Sequence, residues 1–232
     1  MLTTNVDTAK LKRRTILGFV LTTVIFELLL FGTAGSFNYW QGWLYSIITF
    51  VFLGGSAIYL WKRDPALLER RTKVGAVYEK EKGEKIVQII AVLGSILIAV
   101  IPALDYCFGW SHVPLYIVIL GAILLIIGYY LVFLVFKVNS FASTTIEVAT
   151  DQKVISTGPY GVVRHPMYLG ALIALVGTPL SLGSWWGLII LISYVPGIIW
   201  RLLDEERFLS KNLQGYDEYR QKVRYRLIPL LW

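Results

Sequence analysis

The amino-acid sequence predicts an all-α integral membrane protein: four transmembrane helices, then a C-terminal helical hairpin and a cytoplasmic helical tail. Three observations carry this. Of 232 residues, 56% are hydrophobic and only 16% charged, with mean hydropathy +0.63, whereas a soluble domain usually carries about 25% charge. Apolar runs of roughly 20 residues, long enough to cross a hydrocarbon core of ~30 Å, recur along the chain. All 22 Lys and Arg residues fall in four segments that these runs separate.

The runs 15–34, 43–61, 86–104 and 115–136 are the four spanning helices. A fifth apolar region, 167–200, is too long for one crossing and is interrupted by TPLSLGS, where Pro179 and Gly183 act as breakers. It reads as a hairpin with short arms, the first of which is allowed to end inside the membrane only where protein or water satisfies its backbone. The basic residues number 4 before the first run, 8 in 62–85, 3 in 137–164 and 7 from Arg201 onward, and none lies in 35–42, 105–114 or 178–184. By the positive-inside rule both termini face the cytoplasm.

That distribution also accounts for the net charge of +7. The basic segments attract anionic lipid headgroups, and no motif favours nucleic acid. KLKRR before the first run imitates a secretory signal, but the run exceeds a typical signal core and its removal would spoil the charge alternation. Tyr39, Trp40, Trp43, Trp61, Trp110, Trp185, Trp186 and Trp200 sit near helix ends, as an interfacial belt requires. One cysteine, Cys107, excludes an internal disulfide, and two histidines, His112 and His165, give no metal-site spacing. The chain reads as one domain, 1–232, in which 1–136 holds the four helices and 137–232 gathers the polar chemistry.

Within 137–232, the stretch 145–156 alternates around ATDQ and fits either a small β-hairpin acting as a lid or a plain connector on the headgroups. In GPYGVVRHPMYLG, Pro166 suits the first turn of a helix. The free N–H groups of that turn favour an anion, with Arg164 and His165 beside them; lipid phosphate and helix capping are the plainer roles for these two. The second arm leaves the membrane as WRLLDEERFLSKN. Arg201 and Glu205 are four apart on one helix face, with Glu206 next to it. A hairpin brings its last turns near its first, so Glu205 and Glu206 should approach His165 and Tyr168 and form a pocket with an anion-binding and a cation-binding end. Tyr216, Tyr219 and Val223 follow near-helical spacing in a basic tail, and LIPLLW (227–232) is apolar enough to fold back and close one side of the pocket.

RHPMYLG from Arg164 to Gly170, the pair Glu205 and Glu206, and the tail YDEYRQKVRYRLIP resemble the isoprenylcysteine carboxyl methyltransferase family and its relatives, the membrane phospholipid methyltransferases. The resemblance covers roughly the last 95 residues, with weaker support from RDPALLERR and DYCFGWSHVP. It implies S-adenosylmethionine in a cytoplasm-facing pocket and a lipid-like or prenylated acceptor arriving sideways from the bilayer. It also implies a cofactor set of Tyr160, Arg164, His165, Tyr168, Gly170, Glu205, Glu206 and Tyr219. Arg164 or His165 suits the carboxylate, Glu205 or Glu206 the amine or ribose, and Tyr160, Tyr168 or Tyr219 the adenine.

The catalytic candidates are Arg201 and Glu205. An ionised carboxylate acceptor needs only a cation to orient it, Arg201. A phospholipid amine must lose a proton, and then Glu205, Glu206 or the intramembrane Glu27 is a candidate base. NADPH-dependent membrane sterol reductases share the Arg-His motif and tyrosine-rich tail, but adjacent glutamates would repel the NADPH 2′-phosphate. The methyl acceptor and the oligomeric state stay open at this point.

Overall fold

The computed structural model describes residues 8–72, 82–144, 148 and 151–232. Its helices are α1 (Thr8–Ala34), α2 (Trp40–Arg63), α3 (Pro65–Arg71), α4 (Lys82–Phe108), α5 (Leu115–Val138), α6 (Pro166–Ser181), α7 (Leu191–Asn212) and α8 (Tyr216–Lys222), with 3₁₀ turns at Gly158–Gly161 and Trp186–Ile190. No strand occurs among the described residues. The β-hairpin expected over 145–156 lies partly outside the described residues; its described part, 148 and 151–156, contains no strand.

Among the described residues, five helical segments are long and apolar enough to cross a membrane: Ala9–Ala34, Trp40–Arg63, Gln88–Phe108, Leu115–Val138 and Trp186–Asn212. Their flanks are rich in exposed large hydrophobics such as Leu17, Leu28, Tyr116 and Ile192, which is what a lipid-facing surface requires. The four expected runs lie inside α1, α2, α4 and α5. The fifth region divides into α6 and α7, and of the two expected breakers only Gly183 lies at the turn. Pro179 lies inside α6, in its last turn, where a proline needs only that the preceding turn tolerate its ring. The chain turns at Gly183, as expected, where a φ of +73° suits a residue without a side chain.

α6 has 16 residues, about 24 Å at 1.5 Å per residue, short of the ~30 Å apolar thickness. Its most extensive partner is α5, not α7. The α5–α6 seam is built from small residues seven apart on each helix, Gly121 and Gly128 against Gly170 and Gly177. A methyl group on Gly128 would stand 2.5 Å from the Gly170 carbonyl oxygen, and one on Gly177 would stand 2.6 Å from that of Gly121. The two backbones therefore touch directly, as small residues permit between membrane helices. Beside this seam a core of Leu30, Phe31, Tyr45, Ala103, Leu125 and Leu182 ties α1, α2, α4 and α5 to the end of α6.

The face remote from the basic segments is closed by polar capping. Asp105 is 1% exposed; it accepts from the Ser111 N–H at 2.8 Å and from the hydroxyls of Ser111 and Ser184. Tyr39 differs from its expected place in an interfacial belt. It is fully buried, stacks on Tyr106 at 4.3 Å and donates to the Leu182 carbonyl at 2.6 Å, so it is a core residue. Glu27 of α1 faces Ser46 of α2.

Candidate functional site

At the basic face the start of α6, the end of α7 and the tail converge. His165 precedes Pro166, the first residue of α6. The main-chain N–H groups of Arg164 and His165 donate to the carbonyls of Tyr225 and Arg226 at 2.9 and 3.0 Å. The tail thus takes the two main-chain donors just before the helix, leaving those of Met167 and Tyr168 in the first turn of α6, where the anion site was expected.

Glu206 lies under this junction, 4% exposed. Its Oε1 is 2.6 Å from Arg164 Nε and 3.2 Å from His165 Nε2, and its Oε2 is 3.0 Å from Arg226 Nε. Arg164 also donates to the carbonyls of Val223 and Arg224 at 3.0 and 2.9 Å. A carboxylate this buried is tolerable only when paired and hydrogen-bonded, and here three side chains satisfy it. Its neighbour Glu205 points elsewhere, accepting from the Tyr168 hydroxyl at 2.7 Å.

Glu205 and Tyr168 line a cavity of about 890 Å³, its mouth included. Tyr160, Arg164, His165, Arg201 and Tyr219 line it too, so the structure brings together all of the expected site residues except two. Glu206 is beneath the wall, and Gly170 is in the α5–α6 seam against Gly128. The strap between α5 and α6 contributes Asn139, Phe141 and 152–155, so the segment proposed as a lid does border the cavity. The end of the chain does not: Trp232 accepts from the N–H groups of Arg226, Leu227 and Ile228 and its ring lies 5.1 Å from the Arg226 guanidinium. LIPLLW therefore turns back on the tail, and Tyr216 and Tyr219 of α8 close that side of the cavity. They are held in a cluster with Leu213, Val154 and Val223.

Several contacts were missed in the sequence. Asn139 caps the strap through Oδ1, which accepts from the Phe141 N–H at 2.9 Å, and its Nδ2 donates to the Tyr160 hydroxyl at 2.7 Å. Burial pushes the Tyr160 phenol up to about 12, and burial raises those of Tyr216 and Tyr219 as well; all three are neutral walls at pH 7. Arg201 donates to the Thr144 carbonyl at 2.6 Å. α3 starts with Asp64 accepting from the Leu67 N–H at 2.9 Å and Pro65 in its first turn. It carries Arg70 to the Ser140 carbonyl and Arg71 to the Met167 sulfur. The only sequence signal for these was the motif RDPALLERR.

No cluster of three metal-binding side chains occurs among the described residues. What the cavity offers is one carboxylate, several cations, hydroxyl groups and flat aromatic walls.

Residues 116–215 match the family model for phospholipid methyltransferase. The match takes in α5, the strap, α6, α7 and every cavity residue except Tyr216 and Tyr219, and leaves α1 to α4 outside. Among curated proteins, the chain is similar to a Delta(14)-sterol reductase of Mus musculus, 34% identical over 95 residues, which is 38% of this chain and 22% of the reductase. The chain thus spans about a fifth of the length of that relative.

Proposed function

We propose that the protein is a membrane methyltransferase that uses S-adenosylmethionine to methylate a lipid-like acceptor, with a carboxylate the favoured methyl acceptor. The observation that carries this is the cavity between the start of α6 and the end of α7, lined by Glu205, the first turn of α6 and the tyrosines Tyr160, Tyr168, Tyr216 and Tyr219. The family match across 116–215 supports the methyltransferase class.

The donor set fits the cofactor. Its amine or ribose hydroxyls suit Glu205, held in place by the Tyr168 hydroxyl. Its carboxylate suits the Met167 and Tyr168 N–H groups with His165, at the positive end of the α6 dipole. Its adenine suits the wall of Tyr160, Tyr216 and Tyr219. Glu206 serves by holding Arg164 and His165 in position, and Gly170 by letting α6 lie against α5. When bound, S-adenosylmethionine supplies a methyl group on a positively charged sulfur, so no covalent nucleophile is asked of the protein. The protein's part is then to align the acceptor and exclude water. Arg201, one helical turn before Glu205 on the cavity side, orients an ionised carboxylate, which needs no base. The basic face is the cytoplasmic one, because every Lys and Arg among the described residues belongs to it.

Calorimetric titration of the detergent-purified chain tests the reading. S-adenosylmethionine and S-adenosylhomocysteine should bind and NADPH should not. Binding of NADPH without either would replace methyl transfer by reduction of an unsaturated lipid.

A further inference from the structure

We infer that the groove between α1 and α2 is a binding site for an anionic phospholipid from the bilayer leaflet at the basic face, with its phosphate at Lys12 and one acyl chain running down the groove. The groove has a volume of about 700 Å³, its open side included, and shares no lining residue with the cavity described above. The inference therefore stands apart from the proposed methyl transfer.

One face of each helix builds the groove. Lys12, Thr15 and Phe19 line it from α1 at spacings of three and four, and Gly54, Ala57 and Trp61 do so from α2. The helices run in opposite directions, so Lys12 meets Trp61 at one end and Phe19 meets Gly54 at the other. Lys12 and Phe19 are about 10 Å apart along the helix axis at 1.5 Å per residue. Small residues on α2 leave the space open: a methyl group on Gly54 would meet only the Phe19 ring, at 3.6 Å. Phe19 is itself held against Phe50, with ring centres 6.1 Å apart.

From end to end the lining passes from charged to polar to apolar, the order of the parts of a phospholipid. The Lys12 Nζ lies 4.9 Å from the centre of the Trp61 ring, whose face attracts the ammonium and keeps it at the mouth. Among the described residues no carboxylate stands within ion-pair distance of Lys12. Lys62 and Arg63, in the last turn of α2, lie at the same end, and the acid that follows them, Asp64, accepts from the Leu67 N–H of α3. A mouth of this charge at the membrane surface attracts anionic headgroups.

One turn deeper, about 4.5 Å along the helix, the Thr15 hydroxyl is shut off from water with no hydrogen-bond partner among the described residues. A helical threonine has two rotamers open to it, and the ester carbonyl below a lipid phosphate is an acceptor that draws such a donor out. Beyond Thr15 the lining is apolar as far as Phe19, which suits an acyl chain. A zwitterionic lipid fills the apolar part equally well but brings no net charge to Lys12. A second copy of this chain, lying the same way in the membrane, would set its own basic end against a basic mouth.

The test is native mass spectrometry of the full chain in neutral detergent, titrated with phosphatidylglycerol and phosphatidylcholine of identical acyl chains. Wild type should bind the first phosphatidylglycerol roughly tenfold more tightly than phosphatidylcholine, a difference of about 1.4 kcal/mol. Lys12→Gln should cut the preference to about threefold or less, and Lys12→Arg should keep it. Lys222→Gln, which removes a charge from α8, should leave it intact. Gly54→Leu fills the groove and should weaken the first binding of both lipids about tenfold. Equal binding of the two lipids to wild type overturns the inference. So does a preference that survives Lys12→Gln or falls as far in Lys222→Gln, or a lipid affinity that survives Gly54→Leu. A dimer that Gly54→Leu dissociates, with no lipid bound to wild type, also overturns it and assigns the groove to a second copy of the chain.

Discussion

Arg164 Nε and Glu206 Oε1 are 2.6 Å apart, 6% and 5% exposed, across 42 residues of chain. The pair joins the start of α6 to the end of α7, and Arg226 brings the tail to the same carboxylate. Adjacent glutamates consequently have different duties: Glu206 holds the site together and Glu205 faces what enters it.

Their substitutions should separate accordingly. Glu206→Gln leaves buried cations without compensation and should lower stability by about 3–5 kcal/mol. Glu205→Gln should leave thermal unfolding almost unchanged but weaken S-adenosylmethionine binding by about 1.5–3 kcal/mol, the worth of one charge-assisted hydrogen bond. Unfolding curves and calorimetry on the same preparations check both; equal destabilisation by the two variants would contradict the division.

The α5–α6 seam should be intolerant of a single methyl group. Gly128→Ala would place Cβ 2.6 Å from the Ala174 main-chain nitrogen, and overpacking of a backbone contact costs about 1–3 kcal/mol. Gly18→Ala on α1 meets nothing within 4 Å and should be neutral or slightly stabilising, since alanine is the better helix former. Comparing the two melting temperatures measures the seam against a matched control.

Acceptor chemistry divides along Arg201 and Glu27. With a carboxylate acceptor, Arg201→Ala should lose most turnover with S-adenosylmethionine affinity nearly intact, and Arg201→Lys should keep part of it because charge survives without the planar fork. Glu27→Gln should matter little, since Glu27 does not line the cavity. If Glu27→Gln abolishes turnover while Arg201→Ala is silent, the acceptor is an amine that needs a base.

Orientation is checked by thiol labelling once the exposed Cys107 is replaced. Cysteines at the exposed positions Asn38 and His112 should react with an impermeant reagent from outside intact cells, and one at Ser156 only after permeabilisation. The opposite pattern would invert the protein.

Much of this was legible before any coordinates, because the bilayer simplifies the problem. Runs such as 115–136 admit only a helix in hydrocarbon, and alternation of direction alone carries Glu205 to Tyr168. The finer assignments depended on paths the sequence does not encode locally. Glu205 and Glu206 are about 100° apart on a helix, and only the course of the tail decides which one is covered. Tyr39 matched an interfacial aromatic by position along the chain, yet its hydroxyl finds Leu182 across 143 residues. Arg71, noted only within RDPALLERR, and Asn139, not singled out at all, gave no sign of their partners, Met167 and Tyr160, which lie on elements that meet them only after folding. Pro179 was read as a breaker because proline usually ends helices, but two residues before the end of α6 it fits.

One carboxylate set among Arg164, Arg226 and His165 does not cancel their charge. Beneath the cavity floor at least one positive charge is left over, and because Arg164 is 7% exposed, mobile salt ions screen it poorly. The floor is therefore a permanent electrode, with Glu205 as the opposite pole above it. A zwitterion approaching from the water would meet that field before it touched a side chain, so the orientation of the proposed ligand would be selected during approach, ahead of any contact that recognises its shape.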